Sequence, residues 1–204
     1  MAEQYFTARP QSEQYSKEIS SRLAGSDYVF ETGNGVFSKN RMDYGSKVLV
    51  ETFIQHAQVK PMHQVLELGS GYGPIAIIMG HLFPEAHITG VEVNERAWEL
   101  AQRNAIKNQV RNIIWELADA TTWQSEKRYQ FVLTNPPIRA GKAVIQAFVQ
   151  QAYRHLDVEG ELWVVIQKKQ GAPSMEKFMD ATFGNVTLVD KDKGYWILKS
   201  AKTT

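Results

Sequence analysis

Asn135-Pro136-Pro137-Ile138 is the string in this 204-residue chain whose residue types best fit a reaction. An amino group on a purine ring or an amide is a poor nucleophile, because its lone pair is delocalised. The Asn135 side-chain oxygen and the Pro136 carbonyl can accept both N–H bonds of such a group. Nitrogen electron density is then left aimed at an electrophile, while the prolines fix φ and stiffen the loop. An Asn-Pro dipeptide is also a common turn former. Position favours the chemical reading, since the string follows an apolar run, Tyr129 to Thr134, that reads as a buried strand. A second such run, Gln64 to Leu68, leads into the glycine cluster Glu67-Leu68-Gly69-Ser70-Gly71-Tyr72-Gly73. Both ends then emerge at the carboxyl edge of one parallel sheet, where open α/β sheets bind ligands.

Glycines at 69, 71 and 73 let backbone approach a ligand closely. Two ligands compete for such a turn, a dinucleotide and the sulfonium of S-adenosylmethionine. The dinucleotide fingerprint places its third glycine at position 74, and Pro74 stands there, which disfavours a nicotinamide enzyme. A carboxylate at Glu67 suits a cation and an ammonium better than a pyrophosphate. Glu92 ends the run Ile88-Thr89-Gly90-Val91-Glu92, where an acid can accept from both ribose hydroxyls in bonds worth about 1.5–3 kcal/mol each. Its alternative is to cap the helix that begins near Asn94-Glu95.

The elements that must position these residues alternate. Strands are expected near 64–68, 86–92, 112–116, 129–134 and 160–166, with helices near 74–82, 94–107, 142–156 and 174–181. Asn185 to Val189 and Tyr195 to Lys199 are separated only by Asp190-Lys191-Asp192-Lys193-Gly194, which reads as a hairpin with one strand antiparallel to the rest. Ahead of the sheet, Asn34-Gly35 between Tyr28–Thr32 and Val36–Ser38 predicts another hairpin, and a helix follows from about Gly45 to His56. The first twenty or so residues, poor in apolar side chains, are expected to be loosely held. The fold class is therefore α/β: a doubly wound sheet of seven strands, mostly parallel, ending in an antiparallel hairpin and preceded by a hairpin–helix extension. Residues 1–62 are read as that extension packed on the core, and 63–204 as the cofactor-binding domain.

Composition narrows the classes. With 43% apolar residues the chain can bury a full core as one domain. Cysteine is absent, which removes disulfides and thiolate sites, and the start Met1-Ala2-Glu3-Gln4-Tyr5 lacks a signal pattern. A cytoplasmic protein with no membrane role is expected. The five histidines are scattered, so no metal site is expected. A net charge of +1 gives no global pull on nucleic acid, leaving local pairs such as Lys39/Arg41, Arg139/Lys142 and Lys168/Lys169 to supply any RNA affinity. The last two pairs follow strand ends; ordinary solvated side chains are the plain alternative.

An α/β sheet that closes with a hairpin resembles the class I S-adenosylmethionine methyltransferases, with a Rossmann-like fold. Five further strings carry a narrower likeness: Tyr5-Phe6; Thr32-Gly33-Asn34-Gly35-Val36-Phe37-Ser38; Asp43-Tyr44-Gly45-Ser46; Asn135-Pro136-Pro137-Ile138-Arg139-Ala140-Gly141-Lys142; and Val164-Val165-Ile166-Gln167-Lys168-Lys169-Gln170-Gly171-Ala172. Together they resemble the catalytic domain of the bacterial 16S ribosomal RNA guanine-N2 methyltransferases and their single-domain relatives. Larger members carry an additional amino-terminal domain, which is not expected in this chain.

That resemblance implies S-adenosylmethionine as cofactor and ribosomal RNA or the small ribosomal subunit as partner. It places Phe37, Ser38, Asp43 and Glu67 at the methionine end and Gly69, Ser70, Gly71 and Gly73 in the turn beneath it. Glu92 and Val93 fall at the ribose, Asp119 and Ala120 at the adenine, and Asn135 between cofactor and acceptor. Asn135, Pro136, Pro137 and Ile138 become the catalytic string, with Arg139, Lys142, Lys168 and Lys169 around the substrate entrance, where they also suit phosphate contacts. Asp119, taken alone, also reads as a turn residue. Most relatives put an aromatic after Asn-Pro-Pro to stack on the extruded base, and Ile138 stands there instead. Phe37 and Tyr72 are candidate substitutes, or simply packing residues. Methylation of adenine N6 or of protein glutamine N5, and RNA or partner binding without turnover, are the competing functions.

Overall fold

Short apolar runs alternating with amphipathic ones build the expected sheet, seen in a computed structural model that describes residues 16–33, 40–57 and 63–204. The elements in chain order are β1 (Ser16–Leu23), β2 (Ser26–Gly33), α1 (Tyr44–His56), β3 (Gln64–Leu68), α2 (Pro74–Leu82), β4 (His87–Glu92), α3 (Glu95–Lys107), β5 (Ile113–Leu117), β6 (Tyr129–Thr134), α4 (Lys142–His155), β7 (Leu156–Gln167), α5 (Ala172–Phe183), β8 (Thr187–Asp192) and β9 (Tyr195–Ala201). The seven-stranded sheet has the order β5-β4-β3-β6-β7-β9-β8. Strands β3 to β7 are parallel, and β9 is antiparallel to both of its neighbours. Strand order reverses at β3, which has β4 on one side and β6 on the other. Loops leaving the carboxyl ends of these strands diverge there and open a crevice.

Each face of the sheet buries its own apolar layer. Residues of α1, α2 and α3 pack on one side, with Phe53 edge-on to Phe131 at 5.1 Å and to Trp163 at 5.2 Å between ring centroids. Helices α4 and α5 cover the other side through Phe148, Val149, Met175, Met179 and Phe183. Phe53 and Trp163 are fully buried, so truncating either to alanine costs about 3–5 kcal/mol.

The structure adds a hairpin ahead of the sheet and differs from the expected elements at residues 16–20 and at the terminal turn. The hairpin before the sheet turns at Ala24-Gly25, whose φ values of 51° and 82° make the tight two-residue turn that twisted hairpins favour. The run Tyr28–Thr32 is thus within the second strand of its hairpin, and Asn34-Gly35 lies outside the described residues. Residues 16–20, expected to be loosely held, belong to β1. Only Ile19 and Leu23 of that strand are buried, four positions apart on one face, too sparse a pattern to signal a strand. At the other end, β8 runs on through Asp190–Asp192 with a bulge after Leu188, and the turn narrows to Lys193-Gly194. Edge position lets those polar residues stay in solvent while pairing on one side.

The β1–β2 hairpin docks on α3 through two amide side chains. Asn104, fully buried, accepts from the Glu31 N–H at 2.6 Å and donates to the Glu31 carbonyl and the Tyr72 carbonyl, both at 2.9 Å. Asn108 accepts from the Val29 N–H at 3.1 Å and donates to its carbonyl at 2.8 Å. Glu31 also pairs with Arg103 at 3.2 Å and Lys107 at 2.9 Å. The Lys107 ammonium is the main cause that holds the Glu31 carboxyl below its usual range. No helix of the described residues is long and apolar enough to cross a membrane.

Candidate active site

A cavity of about 290 Å³ opens at the carboxyl ends of β3, β4 and β6. Its wall brings together Asp43, Glu67, Gly69, Ser70, Gly71, Glu92, Val93, Asp119, Ala120, Asn135, Pro136 and Pro137, residues drawn from separate stretches of sequence.

The glycine turn is held from two sides. Glu67, within β3, sends Oε2 to the Ala76 N–H at 2.9 Å. Gly73 is the N-cap of α2 and offers no side chain, so this strand carboxylate satisfies a donor that the helix start leaves open. Glu92 accepts from the Gly71 N–H at 2.7 Å and from the Asn94 N–H at 2.8 Å. Helix α3 is capped by the Asn94 side chain, which accepts from the Ala97 N–H at 3.0 Å, so the capping role weighed for Glu92 belongs to Asn94. Both carboxyls are nearly inaccessible, and burial pushes their pKa values up, Glu67 well above the ordinary range.

The glycines divide their work. A Cβ at Gly71, whose φ is 57°, would meet nothing within 4 Å, whereas one at Gly73 would stand 2.7 Å from the Trp115 ring. Gly71 therefore opens toward the cavity, and Gly73, expected at the ligand, instead clears packing behind the turn.

Asn135 sits at the end of β6 with its amide fixed. Nδ2 donates to Asp43 Oδ2 at 2.8 Å and to Ser46 Oγ at 3.0 Å. Asp43 is the N-cap of α1 and its Oδ2 also accepts from the Ser46 N–H at 2.9 Å. A carboxylate accepts only, which dictates which end of the Asn135 amide faces it and leaves Oδ1 as its remaining polar atom. Asp119 is exposed at the wall, and Oδ1 accepts from the Thr121 N–H at 2.8 Å and hydroxyl at 2.7 Å. It is a turn residue and a cavity residue at once.

Some expected site residues stand elsewhere. Ile138 does not line the cavity; it packs against the α4–α5 layer and borders a shallow depression with Lys142, Ile145, Ile166, Met175 and Phe178. Arg139, Lys142, Lys168 and Lys169 are exposed outside the cavity, Lys142 at the start of α4 and the others on short turns that follow β6 and β7. Phe37, Ser38 and Lys39 lie outside the described residues. Tyr72 is at the wall but only 2% exposed, its ring edge-on to Phe30 at 5.9 Å, so it packs and does not stack on a substrate. Sequence reasoning missed Ser46, whose place three residues after a helix-capping Asp is a readable signal, and Phe148, which lies within 3.1 Å of a Cβ built on Gly69 and gives no such signal.

Among the described residues, every charged side chain lining the cavity is acidic: Asp43, Glu67, Glu92 and Asp119. The Ser70 hydroxyl is buried there with no partner. Acids without a lysine or arginine suit a cationic, hydroxyl-rich ligand and oppose a pyrophosphate. S-adenosylmethionine fits that donor set. Among the described residues no group of three His, Cys, Asp or Glu could hold a metal ion.

The chain matches the family model described as "Methyltransferase small domain" over residues 27–199. It is 39% identical over 203 residues to the uncharacterized Bacillus subtilis protein YbxB, covering 99% of this chain and all of that protein. It is 28% identical over 163 residues to ribosomal RNA small subunit methyltransferase C of Cronobacter sakazakii, covering 78% of this chain and 45% of that one. Among solved structures, the Thermus thermophilus 16S rRNA N2 methyltransferase RsmC, solved with AdoMet and guanosine, superposes with a TM-score of 0.81 at 27% identity, covering 95% of this chain and 52% of that chain. This chain thus spans about half the length of the methyltransferase C relatives it matches. With a matching model, a matching fold and an acidic cavity at the glycine turn, the chain belongs to the methyltransferase small-domain family of class I S-adenosylmethionine-dependent methyltransferases.

Proposed function

We propose that this enzyme methylates the exocyclic N2 of a guanine in ribosomal RNA, of the 16S type. The observation that carries the reading is the fixed Asn135 amide: Nδ2 is committed to Asp43 and Ser46, so Oδ1 is the atom left to accept from an incoming amine. The likeness to an RsmC solved with guanosine supports a guanine over other planar nitrogens.

S-adenosylmethionine supplies an electrophilic methyl group on its sulfonium. Asp43 and Glu67 would hold the cofactor's amino-acid end, Glu92 its ribose hydroxyls, and Asp119 with Ala120 its adenine. Asn135 Oδ1 and the Pro136 carbonyl would accept the two N–H bonds of the guanine amine, turning its nitrogen lone pair toward the methyl. Methyl transfer would break the sulfonium's bond to that methyl and leave neutral S-adenosylhomocysteine, while the proton shed by the amine would depart to solvent along its hydrogen bond to Asn135 Oδ1. Positioning, and not a strong base, then supplies the rate. Arg139, Lys142, Lys168 and Lys169 would contact phosphates around the extruded base.

The test is incubation with radiolabelled S-adenosylmethionine and either total RNA or total protein, followed by nucleoside analysis of labelled 16S rRNA. Label in N2-methylguanosine is expected. Label confined to protein, or to N6-methyladenosine, would overturn the assignment.

A further inference from the structure

The terminal hairpin closes the sheet, yet antiparallel pairing of Gln167 with Tyr195 carries its turn to the carboxyl edge, where β7 also ends. The Lys168 N–H donates to the Gly194 carbonyl at 2.8 Å, so the β8–β9 turn and the basic turn after β7 are joined. From the other side the hairpin reaches α1. The Tyr44 and Tyr195 rings lie 5.8 Å apart, and a Cβ on Gly45 would stand 2.7 Å from the Tyr195 ring. The Tyr44 hydroxyl bonds the Asp192 carboxylate, and the Lys193 ammonium lies over the Tyr44 ring at 4.6 Å. Tyr44 directly follows Asp43, the residue that fixes Asn135. A short line of contacts therefore runs from Lys193 through Tyr44 and Asp43 to Asn135.

We propose that Lys193, with Lys168 beside it, is a phosphate-contact surface for the RNA strand that flanks the methylated base. The proposal rests on the RNA reading above and extends it to a segment that reads, in sequence, as a closing turn. The Asp192 carboxylate, bonded to the half-buried Tyr44 hydroxyl, keeps its charge and also acts on the neighbouring Lys193, whose ammonium is exposed. An exposed lysine ordinarily samples many rotamers; an aromatic ring beneath its ammonium confines it, so less freedom is lost when a phosphate is bound. Lys191, from the same hairpin end, is held over the Trp196 ring at 4.6 Å. Two ring-held lysines beside Lys168 and Lys169 give this edge a basic character that the acidic cavity lacks. That division separates a polyanion outside from a cationic cofactor inside.

The test compares the full-length protein with its Lys193→Gln and Lys193→Arg variants, using a 16S rRNA transcript as probe. Lys193→Gln is expected to weaken RNA binding about three- to tenfold and to lower the salt slope by about 0.7–0.9, with the loss in KM for RNA and not in S-adenosylhomocysteine affinity. Lys193→Arg should restore both. An unchanged slope and affinity in Lys193→Gln, against a wild type that binds and methylates RNA, would overturn this surface alone. So would a lowered melting temperature with an unchanged slope, which would make Lys193 a tie between hairpin and α1. A wild type that labels protein and shows no salt-dependent RNA affinity would instead overturn the RNA reading, and this surface with it.

Discussion

Asn135 Nδ2 donates to Asp43 Oδ2 at 2.8 Å, across a sequence separation of 92 residues. The contact ties the strand-end loop that would orient the acceptor to the first turn of α1. It predicts a split between two substitutions. Asn135→Ala removes the acceptor-orienting oxygen, so kcat should fall by about 10²-fold or more while S-adenosylhomocysteine affinity holds within about threefold. Asp43→Ala should also lower kcat, through a misoriented amide, and cost about 1 kcal/mol at the helix cap. Asp43→Asn keeps an oxygen for Asn135 and a competent cap, and should recover most of both. Equal losses for Asp43→Asn and Asp43→Ala would show that charge, not orientation, matters at this position. Steady-state kinetics with calorimetric binding of the product decides it.

Glu92 gives a prediction about the donor alone. Its carboxylate holds the Gly71 and Asn94 N–H groups and faces the cavity. Glu92→Ala should weaken S-adenosylhomocysteine binding by about 10- to 100-fold, the loss of the equivalent of one charge-assisted bond at about 1.5–3 kcal/mol. Unchanged affinity by calorimetry would confine Glu92 to shaping the glycine turn.

Burial of Glu67 makes a pH prediction. Its folded pKa is raised well above the ordinary 4.5 by burial, with the Glu92 charge adding to the shift. A raised folded pKa means the folded state binds the proton more tightly. The stabilisation is complete below about pH 4.5 and is lost as pH rises through the folded value. Glu67→Gln keeps an oxygen for the Ala76 N–H and removes the titration. Melting temperatures of wild type and Glu67→Gln should therefore diverge as pH rises from 5 toward 9, the variant gaining relative to the wild type. A constant difference across that range would show that the folded pKa of Glu67 is not raised above its unfolded value.

These sites were unequally legible. Periodicity places β3, β4, β6 and helices α1, α3 and α4 within a residue or two, because buried parallel strands are continuous apolar runs and their helices are amphipathic. Glu67, Glu92 and Asn135 were found because each ends a strand or sits within two residues of its glycine turn, a local signal. The rest of the site depends on side chains meeting across the chain. Ser46 reaches Asn135 only through the fold, and Phe148 reaches Gly69 from the far helix. Lys193 looked like part of a plain turn because strand direction, not composition, carries it to the active edge. β1 was illegible for a different reason: its Ile19 and Leu23 are too few to mark a face.

Asn104 looks like an ordinary polar residue of an amphipathic helix, yet it is fully buried and bonds the Glu31 N–H, the Glu31 carbonyl and the Tyr72 carbonyl. It therefore joins the β1–β2 hairpin to the glycine turn. Asn104→Ala leaves the buried Tyr72 carbonyl without its partner, at about 1–3 kcal/mol, and the part-buried Glu31 groups with weaker partners, at about 1 kcal/mol more, so a total loss of about 2–4 kcal/mol is expected. At this chain length that lowers the melting temperature by about 5–15 °C. Because Tyr72 lies between Gly71 and Gly73, the turn should also loosen, and S-adenosylhomocysteine affinity should fall together with stability. Asn108→Ala serves as the control: it too binds the hairpin, through Val29, but makes no bond to the glycine turn. Its melting temperature should drop while product affinity, measured well below that temperature, stays near wild type. If both variants lose affinity equally, the hairpin as a whole supports the turn; if neither does, the glycine turn is held by Glu67 and Glu92 without help from α3.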